Sequence, residues 1–349
     1  MSPHRGTGGR RPTIADIAAK AGVSAGAVSY ALNGRPGVSA ETRRRVRQVA
    51  EEVGWTPNNA ARALSGVGAA TVGLVITRPA SVLGIEPFFM SFVAGIEEVL
   101  AQSDIALLLK IARHADRELD TYQGWWSARR VDGVFVTDLR LEDPRIKRLN
   151  DLGLPAVVVG DPEHAAPLPA VWSDDAVAAS QAMRHLAGLG HRRIGHIAGP
   201  ADLVHTVIRS RALRAAGLDH GISQIVEVHA DYTLESGAQA TQALLRGPGA
   251  PTALVLDNDL MALAAVQVAR ERGLNVPEDL SILAWDDSAL CRLTSPPLSA
   301  LSRDVAAYGA DAARLLLDVI AGREPHSVRS SVARLIDRGS LARVTSDTY

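Results

Sequence analysis

Acidic and amide side chains follow several β-rich runs of this sequence, at the point where each run ends. They are Asp138, Asp161, Asp257, Asn258, Asp259, Asp286 and Asp287. In open α/β sheets, ligands bind beyond the carboxyl ends of the strands, and carboxylates and amides suit the hydroxyls of a sugar or the edges of a nucleobase. Acidic residues after strands also cap the next helix, so capping remains an alternative for each of them.

Other groupings of reactive residue types do not match known catalytic or metal sites. The adjacent acidic pairs at 174–175 and 286–287 could suggest a hydrolase, but neighbouring residues in a strand point to opposite faces. His185, His191 and His196 lack the i, i+4 spacing of a helical metal pair. A phosphate-binding loop, a nucleophile elbow and a dinucleotide fingerprint are all missing from the sequence. We therefore expect no enzymatic activity, no metal site and no cofactor.

Length and composition limit the possible classes of protein. At 349 residues, the chain should form one small and one large domain, or two medium ones. Its 47% hydrophobic and 21% charged residues are typical of a folded globular protein. The single cysteine, Cys291, fits a reducing cytoplasm. Because the N-terminus is polar and no run of about 18 apolar residues occurs, we expect a cytoplasmic protein that is neither exported nor membrane-spanning.

Charge is distributed unevenly along the chain. Residues 1–68 contain ten Lys/Arg and four Asp/Glu, which leaves 27 basic and 34 acidic residues for the rest. The front is therefore cationic and the remainder is anionic, although the whole chain has a net charge of −1. This asymmetry indicates that only the front part binds a polyanion such as DNA.

The cationic front predicts three short helices. Thr13 is a good N-cap for the first, Gly22 supplies a sharp turn, and Ser24 caps the second helix. Ser39 then caps a third helix, which ends at Gly54. Two helices joined by a sharp turn form a helix-turn-helix, although this pattern alone leaves open a helical bundle of unrelated purpose.

Two further features of these helices favour DNA binding. The exposed side of the second helix presents the small or polar residues Ala25, Gly26, Ser29, Tyr30 and Asn33, as a recognition helix must to approach base edges. The third helix presents arginines that suit phosphates, namely Arg43, Arg44, Arg45 and Arg47.

A helix-prone segment of about two turns, at 58–64, follows these helices, and a loose linker follows it at 65–68. So short a helix is marginal in water and should form mainly when docked. At this point the sequence resembles the headpiece of the lactose/galactose repressor (LacI/GalR) family. The matching residues include Thr13-Ile14-Ala15-Asp16-Ile17-Ala18, Ala21-Gly22-Val23-Ser24, Val28-Ser29, Leu32-Asn33, Gly54-Trp55 and Pro57-Asn58.

The resemblance implies a role for the short segment. In the family it is a hinge helix that pairs with its dimer mate in the minor groove, where a leucine inserts at the central base step. Leu64 occupies that position. Insertion of such a side chain costs base-stacking energy, and the kinked duplex that results offsets this cost because it contacts more protein. The DNA-binding residues implied are Thr13, Ser24, Ala25, Gly26, Ser29, Tyr30, Asn33, Asn58, Ala61 and Leu64. Positions 25, 26 and 30 vary within the family, so the operator sequence stays open.

The rest of the chain alternates β-rich runs with helical stretches, which predicts a parallel α/β fold. The runs lie at 72–76, 105–109, 134–137, 156–159, 194–198, 226–229, 253–256 and 282–285. Periodicity alone does not decide between one barrel and two open sheets. The resemblance to the family's effector domain implies a periplasmic-binding-protein-like fold, in which a cleft separates two lobes.

The predicted fold class is thus α plus α/β, with a lambda-repressor-like helix-turn-helix headpiece and a two-lobed parallel α/β domain. We expect a basic disordered tail at 1–11, the helix-turn-helix domain at 12–57, the hinge helix and linker at 58–70, and an effector-binding and dimerisation domain at 71–349. Because no apolar heptad repeat precedes the last residue, a dimer is expected rather than a tetramer.

Matching positions also assign effector contacts. Asp161, Arg209, Asn258 and Asp286 match the polar residues that hold effector in the family, and Tyr232 matches an aromatic position that can stack on a sugar face. Phe88 and Trp172 are weaker candidates, since large aromatic residues are more often part of the core.

The sequence therefore predicts a homodimeric transcriptional regulator, a repressor in our interpretation. It binds double-stranded operator DNA, and a small polar, sugar-like effector controls that binding. One alternative is a soluble sugar-binding receptor or transport component, which would need export and leaves residues 1–65 without purpose. A second alternative is a cytoplasmic enzyme that acts on a sugar.

Overall fold

The computed structural model describes residues 12–32, 34–55, 68–78, 84–112, 114 and 116–344. The chain divides into two compact units, Met1–Val67 and Gly68–Tyr349, which we call the headpiece and the body. No helix among the described residues is long and apolar enough to span a bilayer.

The headpiece contains α1 (Ile14–Ala21), α2 (Ala25–Leu32) and α3 (Ala40–Glu52). Thr13 and Asp16 form a capping box at the start of α1, and Gly22 ends that helix in the left-handed conformation at φ 67°. The Ser24 hydroxyl accepts a hydrogen bond from the backbone N–H of Ala27 at 3.1 Å. The three predicted helices and their predicted caps are therefore confirmed.

A small apolar core holds the three headpiece helices together. Its buried members come from one side of each helix and are Ile17, Ala18, Ala21, Val28, Ala31, Val46, Val49 and Ala50. Because these residues recur at i, i+3 and i+4 spacings, the opposite sides of α2 and α3 remain exposed. The headpiece thus leaves two polar helix faces for a partner.

The described residues of the body form two six-stranded sheets. The strands are β1 (Thr71–Thr77), β2 (Ala106–Ala112), β3 (Gly133–Val136), β4 (Ala156–Val159), β5 (Ala170–Trp172), β6 (Arg193–Ala198), β7 (Gln224–His229), β8 (Ala253–Leu256), β9 (Ser281–Ala284), β10 (Ser299–Ser302), β11 (Val328–Arg329) and β12 (Arg334–Ile336). The first sheet has the order β11-β5-β4-β3-β1-β2, and the second has the order β12-β10-β9-β8-β6-β7. The described pairings are parallel except for β10 with β12.

Helices cover these parallel sheets, as the crossover connections require. They are α4 (Pro87–Leu100), α5 (Asp116–Ser127), α6 (Pro144–Leu152), α7 (Pro162–Ala165), α8 (Asp175–Gly188), α9 (Val204–Asp219), α10 (Leu234–Leu244), α11 (Asp259–Glu271), α12 (Ala289–Leu293) and α13 (Val305–Ile320), with a 3₁₀ turn at Ala101–Ser103. In the lobe built on the first sheet, which we call the first lobe, α4 and α13 pack backbone to backbone: a Cβ at Gly95 would lie 1.8 Å from the carbonyl oxygen of Ala306.

Each lobe has its own buried core, and the described part of the chain crosses between the lobes after β5, after β10 and between β11 and β12. The eight predicted β-rich runs coincide with β1–β4 and β6–β9, and two open sheets replace the barrel alternative. The sequence interpretation missed β5, β10, β11 and β12, which have two to four residues each. β5, β11 and β12 have only two or three residues, too few for a recognisable period, and β10 has the sequence Ser-Ala-Leu-Ser, which lacks the continuous apolar run of the predicted four-residue strands.

Candidate functional site

The first candidate surface is the outer side of α2 in the headpiece. Ala25, Gly26 and Tyr30 are exposed and Ser29 is half-buried, so the predicted recognition residues that are described face outward together. The Tyr30 side chain is 45% exposed, and its ring lies beside Gly37 in the loop before α3. The predicted contacts Asn33, Asn58, Ala61 and Leu64 lie outside the described residues.

The hydroxyls of Thr13 and Ser24 both act as helix caps. Thr13 Oγ1 donates to Asp16 Oδ2 at 2.7 Å and accepts from the Asp16 backbone N–H, and Ser24 Oγ accepts from Ala27. Both residues are exposed at the N-termini of their helices, where backbone N–H groups favour anions such as phosphate. Their predicted DNA contacts remain predictions.

The arginines of α3 differ in what they contact. Arg44, Arg45 and Arg47 are exposed, whereas Arg43 is half-buried and donates from Nη2 to the carbonyl of Arg35 at 3.0 Å. Arg43 thus fixes the loop that joins α2 and α3. The three exposed guanidinium groups are free to face a phosphate backbone.

The second candidate site is a cavity of about 320 Å³ at the carboxyl ends of both sheets of the body. Residues that follow β1, β3 and β4 line it from the first lobe, and residues that follow β8, β9 and β10 line it from the second. The five predicted effector residues, Asp161, Arg209, Tyr232, Asn258 and Asp286, all line this cavity, which we call the cleft. Phe88 and Trp172 line it as well and are only half-buried.

Arg209 is held rigidly in the cleft wall. Its Nε donates to Asp175 Oδ2 at 2.9 Å, Nη1 donates to the carbonyl of Asp257 at 3.3 Å, and its guanidinium lies 4.5 Å from the ring centre of Trp285. Burial favours the neutral form of Arg209, but the neighbouring carboxylates outweigh this effect and raise its pKa. Arg209 is therefore a fixed cation with one carboxylate already paired to it.

Tyr232 is less open than a sugar-stacking platform. Its side chain is buried, and its hydroxyl is hydrogen-bonded to His205 Nε2 at 2.7 Å. The His205 ring stacks on Tyr232 at 6.2 Å, and the Arg78 guanidinium lies 5.3 Å from the Tyr232 ring centre. Gly199 has no room for a Cβ, which would lie 2.0 Å from the tyrosine hydroxyl. Stacking of Tyr232 on a sugar stays a prediction.

Two of the predicted effector residues also cap helices, as the alternative interpretation allowed. Asn258 Oδ1 accepts from the Met261 N–H at 2.9 Å, and its Nδ2 donates to the Tyr232 carbonyl at 3.1 Å. Asp161 Oδ1 accepts from two backbone N–H groups of α7 and from His164 Nδ1 at 2.7 Å. Capping and cleft lining thus coincide, because helices begin where the strands end.

Asp286 keeps unused hydrogen-bonding capacity. The nearest cation is Arg303, whose Nη2 lies 3.8 Å from Asp286 Oδ1. Among the described residues this oxygen has no hydrogen-bond partner. Burial raises the pKa of Asp286, and Arg303 opposes the shift. A ligand hydroxyl could complete the contact of this carboxylate.

The sequence interpretation missed Arg78, Glu86 and Arg303, which also line the cleft. Arg78 donates to both oxygens of Asp138, at 2.5 and 3.2 Å, and its Nε lies 3.3 Å from Glu86 Oε2. Burial raises the pKa of Glu86 to about 7. Arg78 follows β1 and Arg303 follows β10, so both cations occupy the same strand-end position that indicates the acidic residues of the cleft.

A buried charge cluster lies behind the cleft on the second lobe. His196 lies between two carboxylates, with Nε2 2.9 Å from Asp257 Oδ1 and Nδ1 3.1 Å from Glu227 Oε2. Burial opposes protonation of His196, but these carboxylates raise its pKa to about 9. Asp257 Oδ2 also accepts from the Gly199 N–H at 3.1 Å. The cluster fixes the carboxyl ends of β6 and β8, where the cleft begins. Among the described residues, no group of three or more His, Cys, Asp or Glu is arranged to hold a metal ion.

Comparisons with known protein families agree with this architecture. Residues 13–58 match the family described as bacterial regulatory proteins, lacI family, and residues 183–341 match a periplasmic binding protein-like domain. The chain is 35% identical over 328 residues to the HTH-type transcriptional regulator CelR of Thermobifida fusca, with 92% of this chain and 95% of that protein covered. It is 34% identical to the HTH-type transcriptional repressor CytR of Escherichia coli K12, with 94% and 96% covered.

Solved structures give the same result. A CelR–cellobiose complex is 33% identical to this chain with a TM-score of 0.71, and the match covers 95% of this chain and all of that one. A LacI family regulator from Bifidobacterium animalis subsp. lactis is 36% identical with a TM-score of 0.73, covering 79% and 99%. A lac repressor dimer bound to operator, at 24% identity and a TM-score of 0.83, shares the fold.

These relatives confirm the predicted fold class and the prediction of a regulator rather than an enzyme, and they do not favour a transport component. The chain belongs to the lacI family of bacterial regulatory proteins and is a DNA-binding transcriptional regulator.

Proposed function

We propose that this regulator is a cytoplasmic repressor whose affinity for operator DNA is controlled by a small polar effector, a sugar or sugar derivative, in the cleft. The observation with the most weight is that all five predicted effector residues line one cavity between the lobes. The carboxylate, guanidinium and amide groups there match the donors and acceptors of a polyol. The CelR structure in complex with cellobiose supports a carbohydrate effector.

On the DNA side, we propose that Ala25 to Asn33 enter the major groove while the exposed arginines of α3 contact phosphates. The small residues of α2 allow close approach to base edges, and Tyr30 is the largest exposed side chain of that helix. Two headpieces would occupy the two halves of a near-palindromic operator, and paired hinge segments would enter the minor groove between them.

We further propose that the second headpiece belongs to a second copy of this chain. β2 is an edge strand of the first sheet, and its Leu109 and Ile111 are 37% and 46% exposed. Ile85 and Met90, near the start of α4, are 48% and 47% exposed. Apolar side chains of this size on one edge strand and a nearby helix start are typical of a homodimer interface. Ile111→Asp should convert the dimer to a monomer in sedimentation velocity.

Ligand and DNA are coupled if they prefer different arrangements of the two lobes. A coupling free energy of about 1–3 kcal/mol changes affinity about 5–150-fold, whichever ligand binds first. The cleft residues come from both lobes, so a ligand that contacts both stabilises one lobe arrangement over others.

The test is binding of the purified protein to the promoter DNA next to its own gene, followed by fluorescence anisotropy. We expect nanomolar affinity that falls steeply with rising salt, because counterions are released from the phosphates. A flat salt response would refute the proposal.

Leu64→Ala tests the hinge assignment. Loss of the inserted side chain should weaken operator binding markedly and leave effector affinity nearly unchanged. Equal losses of both affinities would show that the hinge is misplaced.

A further inference from the structure

The first of two arginine–carboxylate pairs in the cleft is Arg78 with Glu86, on the first lobe. The Arg78 guanidinium lies 5.2 Å from the ring centre of Phe89 and 5.3 Å from that of Tyr232. Asp138 accepts two hydrogen bonds from its Nη atoms. Aromatic and carboxylate contacts together fix the plane of this guanidinium, so its remaining Nε donor has a set direction.

The second pair is Arg303 with Asp286, at the carboxyl ends of β10 and β9. Arg303 lies 5.3 Å from the ring centres of both Phe88 and Tyr308. Its guanidinium is therefore also held by aromatic rings, and its side chain is only 10% exposed. Each lobe thus contributes one fixed arginine with a carboxylate beside it.

In each pair one donor and one acceptor have no hydrogen-bond partner among the described residues, although Arg78 Nε and Glu86 Oε2 form an ion pair at 3.3 Å. The unused atoms are Arg78 Nε, Glu86 Oε2, Arg303 Nε and Asp286 Oδ1. A hydroxyl group both donates and accepts, so neighbouring hydroxyls on a ligand satisfy the cation and the carboxylate together. A phosphate dianion or a carboxylate only accepts and would leave the acidic partner unsatisfied.

The charge of the cleft also disfavours an anionic ligand. Three arginines line it, against eight acidic residues: Glu86, Asp138, Asp161, Glu163, Asp174, Asp175, Asp257 and Asp286. Each arginine already has a carboxylate within 4 Å. Among the described residues, the cleft lining therefore offers an anionic ligand no unneutralised arginine and several repulsive groups.

We propose that the effector is a neutral polyol that presents hydroxyl groups to both pairs, Arg78–Glu86 and Arg303–Asp286, and that sugar phosphates and sugar acids are rejected. Glu86 and Arg303 are then specificity-determining residues. This inference rests on the proposed function, because it concerns the ligand of the same cleft.

The test is a titration of the full-length protein with matched neutral and anionic sugars, followed by isothermal calorimetry and thermal shift. The probes are cellobiose and cellobionate, maltose and maltobionate, and glucose with glucuronate and glucose 6-phosphate. A neutral member should bind, and its anionic partner should bind at least about 100-fold more weakly. Equal or tighter binding of an anionic member, or binding of no neutral member, would overturn the proposal.

Two variants test the assignment of the pairs. Glu86→Gln should weaken binding of the neutral sugar about tenfold, because an NH2 group that only donates replaces one acceptor oxygen. Asp286→Asn leaves Arg303 without its carboxylate, so the ratio of anionic to neutral affinity should rise about tenfold. Glu278→Gln removes the same charge from an exposed site outside the cleft and should change neither value. An unchanged ratio in Asp286→Asn would contradict the role given to this pair.

Operator binding is measured in parallel with the same protein samples. If DNA binding is absent while the neutral sugars still bind, the proposed regulatory function fails and the ligand class stands. If DNA binding is salt-dependent and responds only to the anionic probes, the regulatory function stands and the ligand class is wrong.

Discussion

The headpiece and the body use charged side chains in opposite ways. In the headpiece, the arginines of α3 are mostly exposed, and the ion pair Lys20–Glu52 has both side chains about half exposed. In the body, Arg145 and Arg209 are buried against carboxylates and carbonyl groups. Exposed cations attract a polyanion and cost little stability, whereas buried ones fix geometry and are costly to disrupt. The two regions are thus suited to different ligands.

Among the variants that test this contrast, Arg145→Met should change stability the most. Arg145 is 2% exposed, donates to Asp143 and Glu118, and donates to the Asp138 carbonyl at 2.8 Å beneath the cleft. Removing the cation leaves buried carboxylates unpaired and should lower the free energy of unfolding of the body by about 3–5 kcal/mol. Urea unfolding, followed by tryptophan fluorescence and by hydrogen exchange of body peptides, measures it.

The matched control is Lys20→Met in the headpiece, which removes one cation from an exposed ion pair. We expect no measurable change in hydrogen exchange of α1 and α3. A loss as large as that of Arg145→Met would remove the distinction between the two regions.

The second effect is a pH dependence confined to the body. The pKa of His196 is raised to about 9 from an ordinary value near 6.5, so its pairing with Asp257 and Glu227 is fully present below pH 6.5 and is lost as the pH rises toward 9. The stability difference between wild type and His196→Gln should therefore be largest at pH 6 and should shrink by pH 9. Urea unfolding at four pH values measures this difference.

Residues 12–55 of the headpiece contain no histidine. Ser39→Ala, which removes the N-cap of α3, should therefore cost the same free energy of unfolding at every pH between 6 and 9. A His196→Gln difference that is equally flat would contradict a protonated histidine in the buried cluster.

The smallest losses of stability are expected for variants of one helix cap in each region. Thr13→Ala breaks an exposed capping box and should cost about 1 kcal/mol. Asn258→Ala removes a buried cap and the donor to the Tyr232 carbonyl, and should cost about 2–3 kcal/mol. Hydrogen exchange of peptides from α1 and α11 measures both losses, and equal losses would show that burial adds nothing to the cap in the body.

Local patterns predicted the headpiece well, because caps such as Thr13, Ser24 and Ser39 act within three residues of their partners. Local patterns also predicted the strands that contain runs of about four or more apolar residues. The contacts in the cleft were harder to predict, since Asp286 and Arg303 come from separate strand ends and meet only after the second sheet forms. The phosphate contact of Arg43 stays a prediction, and its guanidinium also donates to the Arg35 carbonyl, a contact that the helical period does not reveal.

Control of the headpiece by the cleft is tested by the affinity for operator DNA, measured by anisotropy at one salt concentration with and without a saturating neutral sugar that binds the cleft. We expect a change of about 5–150-fold in operator affinity, and the reciprocal change in sugar affinity when operator is present. Identical operator affinity in the presence and absence of bound sugar would contradict the claim that the cleft controls the headpiece.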